Sequence, residues 1–255
     1  MLSRSSICLA IAFSLLVPAS AFAGDTVVEI PAARDNSLYE DDTGALSNGA
    51  GDYLFTGRTA PQNNELLRRA VLAFDVADVL PLGATIVSVE LELTMSMSIV
   101  GETDVTIHRL TADWGEGTSD AAGQEGGGGP STTGDATWIH TFFDTAQWTT
   151  PGGDFVAVAS ASAPVAGNGQ YTWGSTAQMV ADVQAWVDNP ASDYGWIVIG
   201  DEQLPAPTAK RFNSSENGEA TERPLLRVTF NTDNVIFTDD FESGDTTAWT
   251  ATIQP

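Results

Sequence analysis

The sequence predicts a mostly antiparallel β-sandwich with one short amphipathic helix, on three observations. The stretch TIVSVELELTMSM, residues 85–97, alternates apolar and polar residues throughout. Successive side chains in a strand face opposite sides of the sheet, so this is one long half-buried strand. It places Val87, Val89, Leu91, Leu93, Met95 and Met97 on the inner face. Short runs rich in β-branched and aromatic residues recur between Gly, Pro, Asn and Asp, with no strand–helix–strand rhythm that would signal a parallel sheet. One segment alone changes to helical spacing.

In chain order, strands are expected at 26–30, 52–56, 69–76, 84–98, 104–110, 137–143, 154–159, 194–200 and 225–230. The helix is expected in STAQMVADVQAWVDNP, where Met179, Val180, Val183, Trp186 and Val187 form a single apolar stripe. Ser175 or Thr176 can cap its start and Pro190 enforces its stop. The glycine-rich run 115–134 reads as a long polar surface loop, mobile unless a ligand orders it.

The chain opens with Arg4, an apolar run from Ile7 to Val17 too short to span a bilayer, and the cleavage signal Ala21-Phe22-Ala23. We expect a signal peptide over 1–23, a sandwich domain over 24–230 and an appended tail over 231–255. No later segment is long and apolar enough to form a transmembrane helix. Cys8 is the sole cysteine, so the exported chain can form neither a disulfide nor a thiolate metal site.

The formal net charge is −24, and Lys210 is the single lysine. Losing Arg4 with the leader makes the exported chain about one unit more negative. Such a surface repels nucleic acid and anionic membrane, whose binding depends on Lys and Arg, and attracts divalent cations.

Catalytic signatures are missing: the sequence has no G-x-S-x-G, H-E-x-x-H, Walker loop or dinucleotide fingerprint. His108 and His140 fall in expected strands without a partner motif. Calcium takes six to eight oxygens from loop carboxylates and carbonyls. Asp41 with Asp42, and Asp113 with Glu116, are turn acids that could hold a structural calcium; the default reading of each pair is a solvated turn. Aromatic rings are the usual platforms for sugars. Trp114, Trp138, Trp148 and Trp173 lie near turns and are the candidates, each of which could instead pack in the core. Arg58, Lys210 and Arg211 are candidate polar ligand contacts in a chain poor in cations. The segment KRFNSSE, 210–216, is expected on a turn before the closing strand, either as such a contact site or locked by an internal Arg211–Glu216 pair.

Several segments together carry a family likeness. DNSLYE (35–40) is followed by LSNGAGDYLFTGRT, by RRAVLAFDVADVLPLGATIVSVELEL, by VTIHRLTADWGEG, by the helix and strand MVADVQAWVDNPASDYGWIVIGDE, and by KRFNSSE and RPLLRVTF. Over about residues 25–230 this order resembles DNRLRE-domain proteins, which overlap carbohydrate-binding module family 96. The resemblance implies a jelly-roll-like sandwich, secreted or at the cell surface. It implies a non-catalytic role that in some members is binding of acidic polysaccharides such as alginate. The acidity of this chain opposes a polyanion, so a neutral glycan is at least as good a fit. The tail VIFTDDFESGDTTAWT resembles a short ending of exported bacterial proteins. A structural or adhesive matrix protein without a sugar site, and a polysaccharide hydrolase or lyase with scattered carboxylates, remain the alternatives.

Cleavage is expected after Ala23. An intact-mass measurement on the secreted protein should show a chain beginning at Gly24 or Asp25, and a mass that includes residues 1–23 would contradict this.

Overall fold

The computed structural model describes residues 24–59, 67–203 and 206–232. The expected leader and nearly all of the expected tail lie outside the described residues. The elements are β1 (Thr26–Pro31), β2 (Arg34–Tyr39), β3 (Leu46–Ser47), β4 (Tyr53–Arg58), β5 (Leu67–Ala73), α1 (Val76–Val79), β6 (Thr85–Ser98) and β7 (Thr103–Arg109). They continue with β8 (Gly129–Pro130), β9 (His140–Phe142), β10 (Ala146–Gln147), β11 (Ala161–Val165), β12 (Gly169–Trp173), α2 (Ala177–Asp188), β13 (Trp196–Ile199), β14 (Lys210–Asn213) and β15 (Leu225–Asn231). Among the described residues, no helix is long and apolar enough to cross a membrane.

The fold is all-β and antiparallel. Eleven strands form one curled sheet in the order β1-β15-β6-β14-β4-β5-β13-β7-β11, with β12 added to β6 and β2 to β5. The fold-over lies in β4, which pairs with β14 through Tyr53–Thr56 and with β5 through Gly57 and Arg58. Gly57 bends the strand at φ 87°, a left-handed conformation that a side chain would disfavour. The two halves then close on a shared core. Val89, Leu91 and Leu93 of β6 and Leu226 and Val228 of β15 meet Leu72 of β5, Trp196 and Val198 of β13, and Val105 and Ile107 of β7.

The half built from β2, β5, β13, β7 and β11 is covered on its outer face as well. Leu38, Val71, Ala73 and Ile197 pack there against Leu110, Trp114, Ala136, Trp138 and Trp148 from the long 110–159 connection. That is why WIVI of β13 is apolar without alternation: both faces of the strand are buried.

Helix α2 closes the edge of β6 where β12 ends. Thr176 caps it, its hydroxyl accepting from the Met179 N–H at 3.0 Å. The β6 edge N–H groups of Val89 and Ile86 donate to Ser175 Oγ and Gln184 Oε1. Side chains around the helix thus satisfy edge donors that no strand reaches. Met179, Val183, Trp186 and Val187 are buried as the periodicity predicts, and Trp186 meets Trp196 edge-on at 4.5 Å between ring centres.

Several expectations need correction. Along β6, Val89, Leu91, Leu93 and Met95 are buried, but Val87 and Met97 are 44% and 43% exposed. The register with β15 slips between Thr229, opposite Ser88, and Phe230, opposite Ile86. Val87 becomes the extra residue of a bulge and Ile86 turns inward in its place. A second slip sits between Arg211, opposite Met97, and Phe212, opposite Met95. The run 154–159 forms only a single bridge, Leu110 to Phe155, because Ala161–Val165 takes the edge of β7. The expected strand at 137–143 shrinks to β9, and the one at 69–76 ends at Ala73, with Val76 opening α1. DNSLY, read as a motif, is itself a strand.

Leu91→Asp should unfold the domain or lower Tm by about 10 °C or more, since an unpaired charge would lie in the shared core. Glu90→Gln should stay within about 0.5 kcal/mol, because the Glu90–Arg227 contact is a surface pair. Thermal melts of both variants check the assignment of the two faces.

Candidate functional site

Three acids from three distant segments meet at one point. Asp35 opens the buried stretch of β2, Glu116 lies in the long connection, and Glu216 lies in the turn after β14. Each offers a carboxylate oxygen within 4.8 Å of the others. Asp35 is fully buried, Glu116 is half-buried, and Glu216 is the most exposed of the three.

Local chemistry fixes each of them. β2 pairs only with β5, so its other edge needs side-chain partners. The Asp35 N–H donates to Glu116 Oε1 at 2.9 Å. Asn36 donates through Nδ2 to the Glu116 carbonyl at 2.7 Å, and its Oδ1 accepts from Ser37 N, Ser47 Oγ and Asn48 N. Gly49 is pressed so closely on Glu116 that a Cβ there would stand 1.7 Å from the Glu116 carbonyl oxygen. The turn carrying Glu216 hangs on the 51–52 backbone: Ser214 Oγ donates to Gly51 O, and Ser214 N and Asn217 Nδ2 both donate to Asp52 O. Ser215 then donates its N–H to Asp35 Oδ2 at 2.7 Å and its hydroxyl to Glu216 Oε2 at 2.9 Å.

The electrostatics follow from crowding and burial. Burial first, and the neighbouring Glu216 charge second, push the Asp35 carboxyl well above its ordinary range. Burial also pushes Glu116 up to about 7, a rise opposed by the Asp35 N–H and reinforced by Glu216. Arg34 is the nearby cation. It is committed to the Trp114 carbonyl and to Asp113 Oδ1, the latter at 2.9 Å, and it lies over the Trp114 ring. Asp35 Oδ1 is buried without a hydrogen-bond partner. Chemically, this trio can either share protons or hold a hard cation.

Of the four acids expected to hold a metal, only Glu116 belongs to the trio. Asp113 pairs with Arg34. Asp41 caps its own turn, accepting from Thr43 N and Ala45 N, and Asp42 is exposed beside it. Asp35 and Glu216 lie outside the expected ligand set. Their signal lay in the likeness itself, since DNSLYE, WGE and SSE each contribute one acid.

The four candidate sugar platforms are buried. Trp114 Nε1 donates to Tyr194 O, Trp148 Nε1 to Thr137 O and Trp173 Nε1 to Val105 O, while Trp138 lies beneath the Arg69 guanidinium. None offers a ring face to solvent. The cations are engaged too. Arg58 donates to Glu202 O, Lys210 to Gly101 O and Ser98 Oγ, and Arg211 to Ser96 Oγ and Gln124 Oε1 while lying 3.6 Å from the centre of the Tyr53 ring. The expected Arg211–Glu216 pair is not made, because Glu216 faces Asp35 and Glu116 instead. Residues 210–213 are strand, and only 214–216 form the turn.

The glycine-rich run 115–134 is tied down. Asp135 accepts from Thr118 N, Ser119 N and Thr132 N, and Glu125 accepts from Asn48 Nδ2, Tyr53 N and Asp52 N. Open grooves among the described residues include two of similar size. One, of about 580 Å³, is lined by Thr111, Thr149, Thr150, Asp154 and Phe155; the other, of about 620 Å³, by Glu102, Asp104, Asp201 and Glu202. No protein-family model matches the chain, and no curated protein matches it.

The raised carboxyls give a definite pH slope. A carboxyl whose folded pKa lies above its unfolded value binds more protons in the native state, so its stabilising contribution is full below about pH 4 and is lost as pH rises through 7. In chelator, Tm should fall across that window, and Glu116→Gln should lessen the fall. Equal slopes in the two proteins would contradict the assignment.

Proposed function

We propose that this chain is an exported, non-catalytic module of the DNRLRE type that binds a neutral extracellular polysaccharide. The groove at Phe155 carries the reading. It brings the half-buried Phe155 together with Thr111, Thr149 and Thr150, an apolar ring beside hydroxyl-bearing residues of the kind a sugar site uses. His108 meets Phe155 edge-on at 5.3 Å and the Arg69 guanidinium lies 5.5 Å from its ring, so its orientation is fixed. Among the lining residues Asp154 is the one carboxylate, and it already accepts from the N–H groups of Thr149 and Thr150. Glycoside hydrolysis uses a pair of carboxylates across the bond, which supports binding over turnover in this groove. Neutrality of the ligand follows from the net charge of −24 and from the internal partners of Arg58, Lys210 and Arg211.

Burial of all four candidate tryptophans favours a second reading, a structural or adhesive matrix protein without a sugar site. A glycan array probed with the secreted protein, in calcium and in chelator, separates the two. We expect binding to neutral polysaccharides, weakened at least tenfold by Phe155→Ala in a protein whose circular dichroism stays native. An array without binding in either condition would favour the matrix reading, and release of reducing ends from polysaccharide would favour a hydrolase.

A further inference from the structure

We propose that Asp35, Glu116 and Glu216 bind one calcium ion that clamps β2, the 110–159 connection and the turn after β14 to one another. The argument does not rest on three acids being close. It rests on how the protein treats the other carboxylates it buries. Asp41, Glu125, Asp135 and Asp182 are the other buried acids among the described residues. Every one has a donor on each oxygen. Asp41 takes Thr43 N on Oδ1 and Ala45 N on Oδ2. Glu125 takes Asp52 N on Oε1, and Asn48 Nδ2 and Tyr53 N on Oε2. Asp135 takes Thr118 N and Ser119 N on one oxygen and Thr132 N on the other. Asp182, inside α2, takes Gln178 Nε2 on Oδ1, and Ser160 Oγ and Trp196 Nε1 on Oδ2, with Arg109 beside it.

Asp35 breaks this rule, as does one buried oxygen of the half-buried Asp193, but only Asp35 does so at the point where two further carboxylates converge. Its Oδ2 accepts from Ser215 N, while its buried Oδ1 has no partner. Leaving a buried acceptor unmade is costly, and more so beside like charges. Arg34 is close enough to ease the Glu116 charge, but it makes no ion pair with the trio, its guanidinium bonding Asp113 and the Trp114 carbonyl instead. A bound cation supplies what is missing.

The donor set selects the ion. Three carboxylates offer only oxygen, with neither imidazole nor thiolate, which disfavours zinc and copper. Oxygens up to 4.8 Å apart can lie on opposite sides of one ion bound at calcium–oxygen distances of about 2.3–2.6 Å. Ligands drawn from a strand, a loop and a turn suit the tolerant coordination of calcium better than the strict octahedron of magnesium.

The test needs no glycan, so its failure is separate from failure of the polysaccharide reading. The secreted protein, stripped with chelator, is titrated with calcium, magnesium or zinc alone, followed by native mass spectrometry, calorimetry and thermal melts. We expect one tight equivalent of calcium and a rise in Tm of several degrees, with a smaller response to magnesium. Asp35→Asn should lose the calcium-dependent rise and melt higher than wild type in chelator, since it removes a buried charge. Glu216→Gln, at a half-exposed turn position, should weaken calcium binding at least tenfold and decides the matter if Asp35→Asn does not fold. Wild-type protein with the same Tm in calcium and chelator would overturn the proposal. So would calcium bound equally by wild type and Glu216→Gln, which would place it on the general acidic surface, or tighter binding of magnesium or zinc.

Discussion

The side chain of Asn36 uses both ends of one amide to hold three segments. Its oxygen receives Ser37 N, Ser47 Oγ and Asn48 N, and its nitrogen reaches the carbonyl of Glu116. Without it the free edge of β2 would present unpaired backbone beneath a loop, where water cannot substitute. Its neighbour Asp35 and the acid it positions, Glu116, are two thirds of the carboxylate trio. The packing of the 110–159 connection over Leu38, Val71 and Ile197 depends on the same junction, because Trp114 stands two residues before Glu116. A change of Asn36 to a residue lacking either function would therefore be felt in the outer core and at the acids together.

An acidic chain faces a particular difficulty when it folds. Its surface carboxylates are cheap, but each one buried must be met by donors, and this chain has few arginines and one lysine to supply them. Backbone N–H groups and neutral side chains do most of that work at Asp41, Glu125 and Asp135. Glu125 reaches its donors from a left-handed backbone, φ 61°, which explains why a non-glycine residue tolerates that conformation there. Several of the few cations are committed inside the fold: Lys210 in β14 between β6 and β4, Arg69 between Glu202 and the Trp138 ring, Arg109 at Asp182. A basic patch at the surface was never compatible with that distribution.

The parts of the fold legible in the sequence were those dictated locally. The alternation of 85–97 announced β6, and the stripe from Met179 to Val187 with Thr176 ahead of it announced α2. What escaped depends on tertiary partners. DNSLY has weak strand propensity and is a strand because β5 and the Asn36 network hold it extended. The tryptophans near turns were ambiguous because nothing local says that the 110–159 connection will lie across a sheet and bury Trp114, Trp138 and Trp148, or that Trp173 of β12 will point into the shared core. The bulge that exposes Val87 belongs to the pairing with β15, more than a hundred residues away. The trio was half legible: each acid sat in a segment that carried the family likeness, but only a folded chain can bring β2, the loop and the turn to one point.

That convergence bears on how a chain with no cysteine among its described residues could be stabilised. A disulfide acts largely by denying the unfolded chain its freedom, and more so when it closes a long loop. An ion held jointly by Asp35, Glu116 and Glu216 would close loops that together span most of the domain, from the first strands to the turn before β15. Unlike a disulfide, its contribution would rise with free ion concentration, since a ligand specific for the native state stabilises it by mass action. The buried charge of Asp35 would then be a cost only in the ion-free protein. In calcium-containing surroundings the same charge would help to hold the two halves of the sheet and their covering loop in register.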